Sequence, residues 1–305
     1  MAKPLALLIA FVLSSGAPTV RQDAQLMASA KMTFEAPAQG QDTAIPPVSE
    51  TSSDQPATPF PDEESKAELQ LLVLANQSRQ QAGAPPLTLD PGLTKAALLH
   101  AKLMLDARQL SHQFDGEPML PERLAVATRL QLDESGENVA FDFDAERGHQ
   151  HLMLSPPHRA NLLNPSYNVV GMGVIRSGDR LYIVQDFGRA LPSFTLAQAK
   201  GAIGTAVNQF RRTARMPDLV RRDLADADSA ACSMAQADKL GTPAVRSIAM
   251  HYTVISFTSL RPDSLPNGAD QAIQLRNLRG FSVGACYTRT ATYPTGAYWI
   301  VLSLE

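Results

Sequence analysis

Six histidines are spread over the 305 residues, at positions 100, 112, 149, 151, 158 and 251. Imidazole can ligate a metal or move a proton near neutral pH, so each is a candidate for chemistry. His112 and His158 are singled out because both are expected just where a helix ends. Glu137 stands behind Gly136 at the start of a short strand read over 137–141, where a carboxylate can meet both imidazoles. Such a set can hold Zn²⁺ or run acid–base chemistry. His100 falls inside a helix and His251 in a strand or turn, and neither asks for a functional explanation. His149 and His151 are two apart on a helix and face different sides. Neither a G-x-S-x-G nucleophile pattern nor an H-E-x-x-H helix occurs. Two cysteines exclude a Cys₄ or Cys₂His₂ zinc module.

The elements that would carry these groups can be read from periodicity. An apolar stripe at Leu69, Leu72 and Val73, closed by Gly83 and Pro85, predicts a helix from Glu63. Asp90-Pro91 is an N-cap followed by proline, and Leu93, Ala97, Ala101 and Met104 mark a second helix ending near His112. A third helix starts at Pro121. A fourth is capped by Asp144 and is expected to stop at Pro156-Pro157. Residues 169–175 and 181–187 are β-rich runs joined by Ser177-Gly178-Asp179, a hairpin. Helices followed by a small antiparallel sheet make this an α+β arrangement.

Outside that unit the composition changes. Leu5 to Leu13 is an apolar run behind Lys3 and before Ser14-Ser15-Gly16-Ala17, the pattern of a signal peptide read over residues 1–30. Residues 31–62 carry Pro37, Pro46, Pro47, Pro56, Pro59 and Pro61 among small polar residues and read as a disordered linker. Export to a secreted or periplasmic location follows, with no transmembrane helix left after cleavage. A net charge of −3 and 6% aromatic residues give no footprint for nucleic acid.

From Leu71 to Gly188 the chain resembles the CAP superfamily of secreted proteins (SCP/TAPS) in its bacterial branch. The resemblance rests on Asn76-Gln77-Ser78-Arg79, Leu110-Ser111-His112, Gly136-Glu137-Asn138, Ser155-Pro156-Pro157-His158-Arg159, Val170-Gly171-Met172-Gly173 and Gln185-Asp186-Phe187-Gly188, in that order. It implies an α-β-α sandwich with a shallow cavity lined by His112, Glu137 and His158. Eukaryotic members carry a second glutamate on the helix before the last histidine. Ser155 stands at about that place here, which leaves two histidines and one carboxylate.

Residues 195–305 read as a second, diverged copy of the same fold. Asn208-Gln209-Phe210-Arg211 lies 132 residues after Asn76, with Pro217 and Leu219 matching Pro85 and Leu87. Val283-Gly284 is matched to Val170-Gly171, and Tyr298 to Val301 is matched to Leu181 to Val184. The site is missing: Thr242 stands where His112 would be. Both cysteines fall in this unit. The repeat alignment sets Cys232 on a helix and Cys286 on a strand that pack together, and an oxidising compartment would let a disulfide between them persist.

The sequence therefore favours a secreted, non-catalytic binding module at residues 63–190. His112 and His158 would hold a divalent metal, Zn²⁺, weakly, and the resemblance implies that the cavity takes a small lipid-like or peptide ligand. A metal-dependent hydrolase using Glu137, or an interaction protein of the cell envelope, are the alternatives. Function is expected to map to 63–190 and to survive loss of 195–305.

Overall fold

In the computed structural model, residues 8–10 and 63–305 are described; the cleavage region and the proline-rich linker read from the sequence lie outside them. Leu8–Ala10 form a short strand, β1. The first unit then runs α1 (Glu63–Gln81), β2 (Thr88–Leu89), α2 (Pro91–Ala107), α3 (Leu120–Ala127), β3 (Leu132–Asp142), α4 (Ala145–Leu154), α5 (Pro156–Leu163), β4 (Val169–Ser177) and β5 (Arg180–Ala190). Its sheet has the order β2-β4-β5-β3, antiparallel except where β2 runs parallel to β4. The fold is α+β.

Side chains alternate across the sheet, and the alternation assigns the layers. Val170, Met172, Val174, Leu181 and Ile183 pack with Leu71 and Ala75 of α1, Leu152 of α4 and Leu162 of α5. Val139, Tyr182 and Val184 point the other way, onto Ala97, Ala101 and Met104 of α2. The glycines between the apolar residues of β4 let α2 come close. A Cβ on Gly171 would lie 2.0 Å from the Leu93 carbonyl carbon, and one on Gly173 2.4 Å from that of Ala97. Asp90 caps α2 by accepting from the Leu93 N–H, and Arg108 ends the helix in the left-handed region at φ 50°.

Two expectations are corrected. Glu137 does not start a short strand behind Gly136; both lie inside the eleven-residue β3, where Tyr167 Oη would sit 2.5 Å from any Cβ on Gly136. Pro156-Pro157 does not simply end a helix. Proline has no N–H to lose at the first helical position, so Pro156 opens α5, and His158 lies in that helix's first turn rather than at a helix end. His112 lies five residues beyond Ala107, in the loop that follows α2.

The second unit runs α6 (Leu196–Thr213), β6 (Val220–Arg221), α7 (Ala227–Ala237), α8 (Pro243–Ala249), β7 (Thr253–Ser259), α9 (Ala269–Ile273), β8 (Gly280–Thr288) and β9 (Ala297–Leu304). Its sheet has the order β1-β7-β9-β8-β6, so from β6 to β7 it has the strand order and directions of the first sheet. Two buried details match as well. Asn76 clamps the Leu87 backbone through both side-chain amide atoms, and Asn208 does the same to Leu219. Arg79, fully buried, donates to the carbonyls of Pro85 and Leu162; Arg211 donates to those of Pro217 and Ile273. A buried guanidinium needs such acceptors, because an unpaired one would be costly. The ladders correct one alignment. Val220 pairs Gly280 as Thr88 pairs Val169, so Gly284 falls level with Gly173 and not with Gly171. Cys232 and Cys286 form a disulfide with Cα atoms 5.0 Å apart, joining α7 to β8.

Candidate functional site

β3 is the edge strand of the first sheet, and the candidate residues gather along it. Glu137 shares the parity of Val139, so it projects toward the α2 face. Its side chain is only 4% exposed. Oε1 accepts from His112 Nδ1 at 2.8 Å, and Oε2 accepts from Arg123 Nη2 at 2.7 Å. Burial pushes the Glu137 carboxyl up. The hydrogen bond from His112 and the charges of Arg123, His100 and His112 outweigh it, and hold the group below the usual carboxylate range.

His158 reaches the same edge from the opposite layer. Asn138 follows Glu137 and therefore points to the other face, where its Nδ2 donates to the His158 carbonyl at 3.0 Å. Asn161 of α5 donates to the Glu137 carbonyl and to Asn138 Oδ1, both at 3.1 Å, so α5 is tied to β3 at His158 and again three residues later. The Gly136-Glu137-Asn138 run thus has three jobs: room for Tyr167, a carboxylate on one face, and an anchor for α5 on the other.

The structure brings all three predicted site residues together. The rings of His112 and His158 are 6.5 Å apart between centroids. His112 Nδ1 is engaged by Glu137, and His158 Nδ1 faces Ser155 Oγ at 2.8 Å. Among the described residues neither Nε2 has a hydrogen-bond partner, so each histidine has one ring nitrogen uncommitted. Burial, and then the charge of His112, holds His158 below the usual histidine value, which favours the neutral, metal-ligating form. The site is open rather than enclosed: the His112 side chain is 57% exposed. Among the described residues, no group of three or more His, Cys, Asp or Glu side chains is arranged to hold a metal ion. A cation here would have two protein nitrogens and water.

Sequence reasoning missed the network behind the site. His100 does have a role: Nδ1 lies 2.7 Å from Glu117 Oε1 and Nε2 lies 2.8 Å from the Ser111 carbonyl, which pins the loop carrying His112. Arg123 spans Glu117 and Glu137. Asp186 of β5 lies directly across from Glu137 and is fully buried. A basic side chain one turn into α3, near the positive end of the helix dipole, was the available signal that Arg123 must be paired elsewhere. Two further histidines are engaged away from the site: His149 bonds Ser78 Oγ at 2.8 Å, and His151 pairs with Asp142.

In the second unit the corresponding places are filled by groups without this chemistry. Counting along the ladders puts Val254 level with Glu137 and Ser303 level with Asp186. The Thr242 hydroxyl bonds Ser233 at 2.6 Å.

Residues 72–187 match CAP, the Cysteine-rich secretory protein family. The uncharacterized protein YkwD of Bacillus subtilis strain 168 is 30% identical over 163 residues, which are 52% of this chain and 62% of that protein. An extracellular protein containing an SCP domain from Bacillus anthracis strain Ames is 28% identical, with a TM-score of 0.39 over 46% of this chain and 45% of its own. Na-ASP-1 is 8% identical and covers 78% of this chain and 89% of its own, with a TM-score of 0.42. The chain therefore spans less than two thirds of the two bacterial relatives.

Proposed function

We propose, from the premise that residues 72–187 are a CAP domain, that this protein is an exported binding module. Its cluster of His112, Glu137 and His158 takes one divalent cation of the zinc type, and the open face beside it takes a small amphiphilic or peptide ligand. The observation that carries this reading is the pair of imidazoles with Nδ1 engaged and Nε2 presented. A hydrogen bond to the far ring nitrogen fixes orientation and raises ligand strength, as it does in established zinc sites. Two protein ligands make the cation weakly held and leave positions for water or ligand atoms.

Hydrolysis is the weaker reading. A general base works best near the operating pH, whereas both Glu137 oxygens already accept hydrogen bonds and the carboxyl is held low. Such a carboxylate orients His112 better than it activates water.

Export is supported by the Cys232–Cys286 disulfide, which persists in an oxidising compartment. The second unit is read as a diverged duplicate of the first that has lost the site. The shared strand order and the paired clamps of Asn76 with Asn208 and Arg79 with Arg211 support that descent. Native mass spectrometry of protein purified from its own source tests the functional reading. A retained zinc-sized or amphiphile-sized adduct on residues 63–190 supports it. A bare chain, with neither adduct recovered after addition of zinc and detergent-like lipid, contradicts it.

A further inference from the structure

The two units are not independent. The hairpin joining β8 to β9 lies against the stretch between α3 and β3, and it contacts that stretch through specific hydrogen bonds. Arg289 donates through Nη1 to the Ala125 carbonyl and through Nη2 to that of Thr128 at 2.8 Å. Thr295 Oγ1 donates to the Leu132 carbonyl at 2.7 Å. In return, Gln131 Nε2 donates to the carbonyls of Leu260 and Gly296 at 3.0 and 3.2 Å.

The acceptors are informative. Ala125 belongs to the last turn of α3, whose carbonyls have no partner within the helix, and Thr128 is its C-cap. A guanidinium there satisfies orphan acceptors and meets the negative end of the helix dipole. Two residues earlier in the same helix is Arg123, the group that holds both Glu117 and Glu137. Leu132 opens β3, five residues before Glu137. The hairpin thus grips both elements whose relative position sets the Arg123–Glu137 pair, and Glu137 in turn orients His112.

We propose that the second unit is a brace for the site, with Arg289 as its positioning residue: by capping α3 it fixes Arg123 on Glu137 and so sets the pose of His112. This replaces the expectation that the site is indifferent to residues 195–305. It also gives the unit without a site of its own a role. The inference rests on reading His112, Glu137 and His158 as the working site.

The test is the ring resonances of the histidines in the full-length, zinc-free protein, compared among wild type, Arg289→Ala, Arg289→Lys and Thr295→Val. Arg212→Ala, which breaks an exposed pair with Asp218, is the control. The brace predicts that Arg289→Ala and Thr295→Val shift the His100 and His112 resonances and leave His149 and His151 in place. Arg289→Lys gives a smaller shift than Arg289→Ala but not the wild-type spectrum, because one ammonium cannot serve both carbonyls in the same geometry. His100 and His112 resonances unchanged in both variants overturn the proposal. So does an equal displacement of His149 and His151, which marks general loosening. No metal is needed for the readout, so a failure to bind zinc would refute the functional reading and leave this result to stand or fall alone.

Discussion

Glu137 and Asp186 face each other across β3 and β5 on the α2 side of the sheet, and the two carboxyl groups behave oppositely. Glu137 accepts from His112 and Arg123. Asp186 is fully buried, and neither of its oxygens has a hydrogen-bond donor among the described residues. Burial, with the charge of Glu137 added, holds the Asp186 carboxyl well above its usual range against the opposing pull of Arg123. The surroundings of Asp186 therefore favour its neutral form over the carboxylate.

A stability signature follows from that arrangement. The unfolded chain releases the Asp186 proton above about pH 3.9, while the raised folded-state value means that the folded chain holds it to higher pH. The folded state binds the extra proton, so Asp186 lowers stability as pH climbs above that value. Asn has the same shape, donates a hydrogen bond and cannot ionise. Asp186→Asn is expected to be more stable than wild type at pH 7, with the advantage shrinking toward pH 4. Urea unfolding at the two pH values checks it; an equal difference at both would show that Asp186 is not held protonated.

Close packing makes a second, opposite pair of predictions. A methyl group at Gly171 would meet the Leu93 backbone at 2.0 Å, whereas one at Gly201 on α6 meets nothing within 4 Å. Gly171→Ala should cost about 3 kcal/mol through displacement of α2. Gly201→Ala should gain about 0.5–1 kcal/mol from helix propensity. Denaturant unfolding of the two variants reads both, and similar midpoints would contradict the account of α2 against β4.

The helices and the hairpin were legible because their signals are local: Asp90-Pro91 for α2, and the alternation on either side of Gly178 for β4 and β5. The three site residues were legible as motifs. Their supports were not, since Arg123, Glu117 and Asp186 meet Glu137 only through the packing of α3 and the β3–β5 register. Proline misled at Pro156 because the same residue ends one helix and starts the next. Gly136 misled because its role is close approach by Tyr167, which no local pattern reveals.

The Cys232–Cys286 bond closes a separation of 54 residues within the second unit. In the chain-entropy model a loop of that length is worth about 4 kcal/mol. Reduction should therefore lower the unfolding midpoint of the second unit while the first unit, which has no cysteine, follows only as far as the brace couples them. Unfolding with and without reductant, read by the single tryptophan at Trp299 in β9, measures it. An unchanged Trp299 transition would mean that the bond contributes nothing to the unit it spans.

The cation site is the central claim, and calorimetric zinc titration of the full-length protein tests it most directly. Wild type at pH 7.5 is expected to bind one equivalent weakly, and to lose affinity as the solution is acidified, because protons compete with the metal for the ring nitrogens. A His112→Ala/His158→Ala double variant is expected to lose that binding. Equal zinc uptake by wild type and the double variant, with the same pH dependence, would contradict the assignment of His112 and His158 as ligands.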